Sequence, residues 1–223
     1  MIDLGSWNLS IPVGSPPATI ETKQLLQGYD GKFFTSGSSN ITFWAPVTGS
    51  KTANAIYPRS ELRETWSDGT LHNWSYADAD NFLNAKLKVM QVPSSGRVVI
   101  GQIHVYESSQ PLLKVEYQYK DATQDGIIVA KVRFHPDDKK PRIFTIAEGV
   151  RLNETFNYAI HLNKAGLLSV SAHGMVWNER LSATWSKQQL YFKAGVYTQD
   201  NTGYTSEGGK VMFFNLDIDH NKT

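Results

Sequence analysis

The chain has 223 residues, no cysteine, and 22 Lys and Arg against 21 Asp and Glu, a formal net charge of +1. That length suits one domain that buries its core without covalent staples. The missing cysteines exclude disulfides, thiolate metal sites and cysteine nucleophiles. A hydrophobic fraction of 40% excludes a disordered chain, no apolar run approaches the roughly 20 residues of a membrane-spanning helix, and balanced charge gives no global argument for nucleic acid or another polyanion.

In chain order, Met1 to Trp7 lacks the basic and apolar regions of a secretory leader. The expectation is a protein that stays where it is made, or the mature form of a periplasmic or secreted one. Thr22–Gln27 reads as a short helix. Period-two alternation then predicts strands over Ile41–Ala45, Tyr57–Arg63, Phe82–Val92, Val98–Tyr106, Leu112–Lys120, Ile127–His135, Ile143–Ile146, Thr155–Asn163, Leu167–His173, Tyr191–Gln199 and Val211–Ile218. Turn clusters such as Pro93-Ser94-Ser95-Gly96 and Asn163-Lys164-Ala165-Gly166 separate them. Ala183–Leu190 is a second short helix candidate. Residues 1–223 read as a single all-β domain, an antiparallel two-sheet sandwich of jelly-roll type or a barrel.

Three strands break the ordinary polar-face pattern. On the first, Tyr57, Arg59, Glu61 and Arg63 share a face. On the second, Gln102, His104 and Tyr106 do so. On the third, Tyr191, Lys193, Gly195, Tyr197 and Gln199 do so. Taken singly, each row reads as a solvated or packed face. Together they supply an anion clamp, a titratable imidazole and a phenol. Gly195 removes a side chain where a ligand or another backbone comes close.

These rows resemble the conserved blocks of the family 7 polysaccharide lyases, the alginate lyases. Arg59-Ser60-Glu61-Leu62-Arg63 resembles their Arg-x-Glu-Leu-Arg block, and Gln102-Ile103-His104 their Gln-(Ile/Val)-His block. Tyr191 to Gln199 resembles their Tyr-Phe-Lys-Ala-Gly-x-Tyr-x-Gln block, and Trp7 to Pro12 fits their usual start. The resemblance implies a β-jelly roll with an open cleft, a substrate of 1,4-linked mannuronate and guluronate, and β-elimination without a cofactor or metal. It assigns Arg59 and Gln102 to neutralising the uronate carboxylate. His104 becomes the base for guluronate, or a neutralising partner for mannuronate, and Tyr197 the acid. A phenol is a poor base unless cations lower its pKa, and Arg59 and Lys193 are the candidates to do so.

Arg63, Lys193, Tyr191 and Gln199 are the implied substrate contacts, and Glu61 holds the cations in place. Gln118 and Lys120 are further substrate-binding candidates. Ile103 implies acceptance of guluronate-containing linkages, and the open family cleft implies endolytic action. The expected partner is alginate, with no nucleic acid and no membrane, and the expected state is a monomer. A non-catalytic carbohydrate-binding jelly roll and a lyase for another polyuronate such as glucuronan are the competing readings. A glycoside hydrolase lacks its pair of closely spaced carboxylates here. The acidic Asp217-Ile218-Asp219-His220 segment reads as a solvated strand end.

Overall fold

The computed structural model describes residues 2–223. It consists of strands β1 (Trp7–Ser10), β2 (Thr19–Ile20), β3 (Phe34–Ser36), β4 (Ile41–Pro46), β5 (Arg59–Glu64), β6 (Asp80–Gln91), β7 (Arg97–Val105) and β8 (Leu113–Lys120). These are followed by β9 (Asp125–Val132), β10 (Arg142–Val150), β11 (Phe156–Leu162), β12 (Leu167–Ala172), β13 (Met175–Arg180), β14 (Leu190–Thr198) and β15 (Gly208–Asn221). Helix α1 spans Thr22–Leu26. The strands form two antiparallel sheets. One has eight strands in the order β10-β9-β8-β7-β14-β5-β1-β2, and the other has seven in the order β13-β12-β11-β6-β15-β4-β3. No described helix is long and apolar enough to cross a membrane.

Alternation builds the core between the sheets. On β8, Leu113, Val115 and Tyr117 face inward and are fully buried, while Lys114 and Gln118 face outward and are part-exposed. The inward residues of the second sheet meet them. Tyr158 of β11 crosses the core and donates its hydroxyl to the Ile100 carbonyl at 2.8 Å. A Cβ at Gly101 would lie 2.6 Å from that hydroxyl oxygen.

Several local expectations need correcting. Ala183–Leu190 is not an α-helix. A 3-10 turn covers Ala183–Lys187, with the Ser182 hydroxyl accepting from Thr184 N–H, and the chain then enters β14. Four strands lay outside the expectation: β1, β2, β3 and β13. The first three are four residues or fewer. In β13, Met175 and Val176 are both exposed, so no alternation marks that edge strand. Tyr57 and Tyr106 fall just outside their strands.

At one end of the sandwich a buried carboxylate ties the two sheets. Glu64 closes β5 at 1% exposure. Its Oε1 accepts from Trp74 Nε1 at 2.7 Å and Phe192 N–H at 2.9 Å. Its Oε2 meets His220 Nε2, from β15 of the other sheet, at 2.6 Å and His72 Nδ1 at 3.3 Å. Asn81 fixes the hydrogen on the far side of His220. Its Nδ2 donates to the carbonyls of Tyr76, Ala79 and Leu162, so its Oδ1 accepts from His220 Nδ1 at 2.7 Å. His220 is therefore an inter-sheet tie rather than a solvated strand end, while Asp217 and Asp219 beside it are exposed. Removing the carboxylate strands an indole N–H, a backbone N–H and a half-buried imidazole together. Glu64→Ala is expected to cost about 3–5 kcal/mol, measured by urea unfolding. A loss under about 1 kcal/mol would contradict this role.

Candidate active site

The outer face of the eight-stranded sheet carries a cleft of about 470 Å³. Its lining runs across the strands from Thr19 on β2, through Asn8 and Ser10 on β1, to Lys114 on β8. Two loops flank it, Thr52 to Ala55 on one side and Ser108 to Pro111 on the other. Among the sequence candidates, Arg59, Glu61, Arg63, Gln102, His104, Tyr191, Lys193 and Tyr197 all line this cleft. Register explains why. Lys193 pairs with Arg63 on one side and Gln102 on the other, Tyr191 with His104, and Tyr197 with Arg59. Paired residues project to the same side of a sheet, so motifs far apart in sequence become neighbours.

Glu61 is the hub. It is fully buried, and three partners reach its carboxylate from three adjacent strands. Arg59 Nη1 is 2.9 Å away, Lys193 Nζ 2.8 Å and Gln102 Nε2 2.7 Å. Burial alone would raise this carboxyl, but Lys193 and Arg59 beside it, with hydrogen bonds from Lys193 and Gln102, bring it down to about 2. It stays ionised at any working pH. The Lys193 ammonium is drawn down to about 8 by burial and by Arg59, with Glu61 opposing. Two cations and an amide thus share one carboxylate and remain net positive toward the cleft.

Arg59 lies with its guanidinium carbon 3.9 Å from the Tyr197 ring centroid. Its Nε is buried and has no protein partner. A buried donor without an acceptor costs free energy comparable to a lost hydrogen bond, while the part-exposed remainder of the Arg59 side chain lines the cleft. Arg63 is placed differently. It stacks on Tyr191 at 3.6 Å, and it donates to the Glu64 and His72 carbonyls and to Asn73 Oδ1 at 2.7, 3.3 and 2.6 Å. It brings charge to the cleft, but Nη1 and Nη2 are already engaged.

Burial, together with the nearby Lys193 and Arg59, pushes His104 down to about 3. The imidazole is therefore neutral. Its Nδ1 lies 2.9 Å from Val105 N and 3.2 Å from Val105 O, so both neutral tautomers find a backbone partner. Tyr191 Oη sits 3.2 Å from the same nitrogen. Nε2 is left to meet a substrate. The expectation that cations lower the Tyr197 phenol is overturned. Burial raises it, and Arg59 only partly opposes this. Tyr197 is therefore a protonated phenol.

Three candidates stand apart from the cleft lining. Gln199 follows β14, is buried, and donates its amide to the Tyr197 carbonyl at 3.3 Å. Gln118 donates to Glu116 at 2.6 Å on β8. Lys120 is exposed and borders a separate depression with Thr123 and Asp125. Gly195 makes room for backbone, not ligand. Its φ is +145°, and a Cβ there would lie 2.7 Å from the Ser60 carbonyl oxygen. The β14–β7 register also shifts between Ala194 and Tyr197, while the β14–β5 register runs unbroken and keeps Tyr197 beside Arg59 on the face of Lys193.

Sequence reasoning missed Asn8, Ser10 and Lys114. The first two alternate with buried Trp7 and Leu9, and Lys114 stands two residues before Glu116, so period-two spacing could have found all three. Among the described residues, Glu64, His72 and His220 form a group with ligand atoms within 4.8 Å of one another. They already bond one another, and none lines the cleft.

Comparison with known proteins places this arrangement in a lineage. Residues 2–220 match a family model described as alginate lyase. An alginate lyase of Klebsiella pneumoniae is 30% identical over 98% of this chain and 89% of its own length. The crystal structure of an alginate lyase from Pseudomonas aeruginosa superposes with a TM-score of 0.94, at 46% identity, over 98% of this chain and 100% of the other. Alginate lyase A1-II′, a member of polysaccharide lyase family 7, superposes at 0.88 with 29% identity, over 100% of this chain and 97% of the other. The fold is the β-jelly roll of those enzymes, and the chain belongs to the alginate lyases of polysaccharide lyase family 7.

Proposed function

We propose that the cleft cleaves alginate within the chain, with Arg59, Gln102, His104 and Tyr197 as its catalytic residues, and that it accepts guluronate-containing linkages. The observation that carries this reading is that Arg59, Gln102, His104 and Tyr197 line one cleft, with Arg59 and Gln102 held by the buried Glu61 carboxylate.

The chemistry sets the requirements. The C5–H of a uronate is weakly acidic because the adjacent carboxylate opposes further negative charge. Arg59, through the part-exposed guanidinium that lines the cleft, and Gln102, through the second hydrogen of an amide already held by Glu61, can bond that carboxylate and hold it neutralised. Lys193 adds charge from the same cluster. Preorganised donors of this kind contribute about 10²–10³ in rate each. With Nδ1–H given to the Val105 carbonyl, His104 presents a lone pair at Nε2 and takes the C5 proton. Electrons of the C–H bond form the C4–C5 double bond, the C4–O bond breaks, and the leaving oxygen takes the Tyr197 proton. The products are a new reducing end and a 4,5-unsaturated uronate.

A raised phenol favours Tyr197 as acid over Tyr197 as base, which fits guluronate better than mannuronate. Ile103 bears on the same preference. It is fully buried in the core behind Gln102 and His104, so it acts through packing. The cleft lining crosses from β2 to β8, which suits a chain threading through rather than ending in the site. A histidine-and-tyrosine double variant of A1-II′ was crystallised in complex with substrate (GGMG), which accords with a histidine and a tyrosine as the reacting pair.

Two measurements test the reading. Tyr197→Phe is expected to lower the rate of ultraviolet-absorbing product by about 10²–10⁴, with alginate affinity changed only a few-fold. Weakened binding with near-normal turnover would contradict the assignment. On purified blocks, the wild type is expected to act faster on polyguluronate or alternating chains than on polymannuronate, with end groups identified by NMR. A clear polymannuronate preference would reverse the proposed roles of His104 and Tyr197.

A further inference from the structure

The cleft-facing surface of the sheet does not stop at Gln102. Lys193 pairs with Arg63 and Gln102, Gln102 with Lys114, and Lys114 with Lys131. One row across β5, β14, β7, β8 and β9 therefore carries Arg63, Lys193, Gln102, Lys114 and Lys131. The neighbouring row runs from Arg59 through Tyr197 and Val99 to Glu116. Both rows lead from the reacting residues toward the outer strands.

At Glu116 the arrangement around Glu61 is repeated. Glu116 is fully buried, like Glu61. Lys131 Nζ lies 3.1 Å from its carboxylate, Gln118 Nε2 2.6 Å and Arg97 Nη1 3.8 Å. Each cluster is a buried glutamate ringed by one arginine, one lysine and one glutamine, one of the three from its own strand and two from neighbouring strands. Lys114 stands between the two clusters and lines the cleft. Arg97, Lys114 and Lys131 face a single carboxylate, so this patch is cationic, and Arg97 is more than a third exposed. Burial and the nearby Lys131 lower the Lys114 ammonium, as crowded cations should. Glu61 and Glu116 stand three strands apart, about 14 Å at the usual strand spacing of about 4.8 Å. A polyanion crossing the strands meets the first cluster, then Lys114, then the second.

We propose that Arg97, Gln118 and Lys131, held by Glu116, form a second carboxylate-binding subsite. It would take a distal uronate of the same chain that reacts at Glu61, with Lys114 bridging the two. The inference rests on the alginate reading above and adds a length requirement to it. Gln118, which stands apart from the cleft lining, acquires a role here, whereas Lys120 does not.

The test measures binding by calorimetry in a Tyr197→Phe background, using an alginate tetrasaccharide and a decasaccharide at low ionic strength. The protein with the intact cluster is expected to bind the decasaccharide about tenfold or more tightly than the tetrasaccharide, as one charge-assisted contact predicts. Arg97→Gln with Lys131→Gln should erase most of that gain, and added salt should shrink it. Arg97→Gln alone changes a part-exposed side chain whose ion pair is 3.8 Å long, so it keeps the fold and should remove part of the gain. A gain that survives both variants would overturn the subsite. If wild-type enzyme makes no unsaturated product although the decasaccharide gain is present and lost in the variants, the lyase reading fails while the subsite stands. If neither oligosaccharide binds, both fail.

Discussion

One buried carboxylate sets the character of the cleft. Glu61 alone, at zero exposure, would be unstable as an anion. It is an anion because Arg59, Lys193 and Gln102 reach it from three strands. The dependence runs both ways. Without Glu61, Arg59 and Lys193 would repel each other in a partly dry site, and the Lys193 ammonium is already lowered to about 8. The glutamate lets positive charge be concentrated at the cleft, as the proposed neutralisation of a substrate carboxylate requires. Burial, with the same cations, keeps His104 neutral, the state its proposed role as base requires. Burial also keeps Tyr197 protonated, with Arg59 stacked on its ring only partly opposing it.

The sheet is the ruler for all of this. Antiparallel pairing places Lys193 beside Gln102 and Arg63 although Lys193 and Gln102 are 91 positions apart in the chain. Gly195 lets β14 approach the β5 backbone closely, and the unbroken β14–β5 register sets Tyr197 beside Arg59. At the end of β5, Glu64 and His220 tie the sheet to its partner while the Glu64 and His72 carbonyls hold Arg63. Positioning and stability therefore share the same short stretch of β5.

Much of this was legible in the sequence. Alternation located the long strands, because each has one face on the core and one away from it. The Arg59, Gln102, His104 and Tyr197 set was legible because three strands carried hydrogen-bonding rows and resembled known blocks. What escaped had physical reasons. β1, β2 and β3 are too short for a period to register, and β13 exposes consecutive apolar residues at an edge. The raised Tyr197 phenol depends on burial, which alternation does not measure. Glu64 meets His220 across 156 positions and two sheets, a contact that no local pattern encodes. Gln199 reads as part of the Tyr197 face, yet the strand ends at Thr198 and its amide turns back to the Tyr197 carbonyl.

Glu61 organises the cluster of Arg59, Lys193 and Gln102 on which the proposed reaction depends. Its most direct test is the steady-state kinetics of Glu61→Gln on alginate, with folding checked by circular dichroism. Losing the charge should let Lys193 deprotonate and Arg59 swing away, so kcat/KM is expected to fall by at least about 10²-fold in a folded protein. A folded Glu61→Gln enzyme with wild-type kcat/KM would contradict the account.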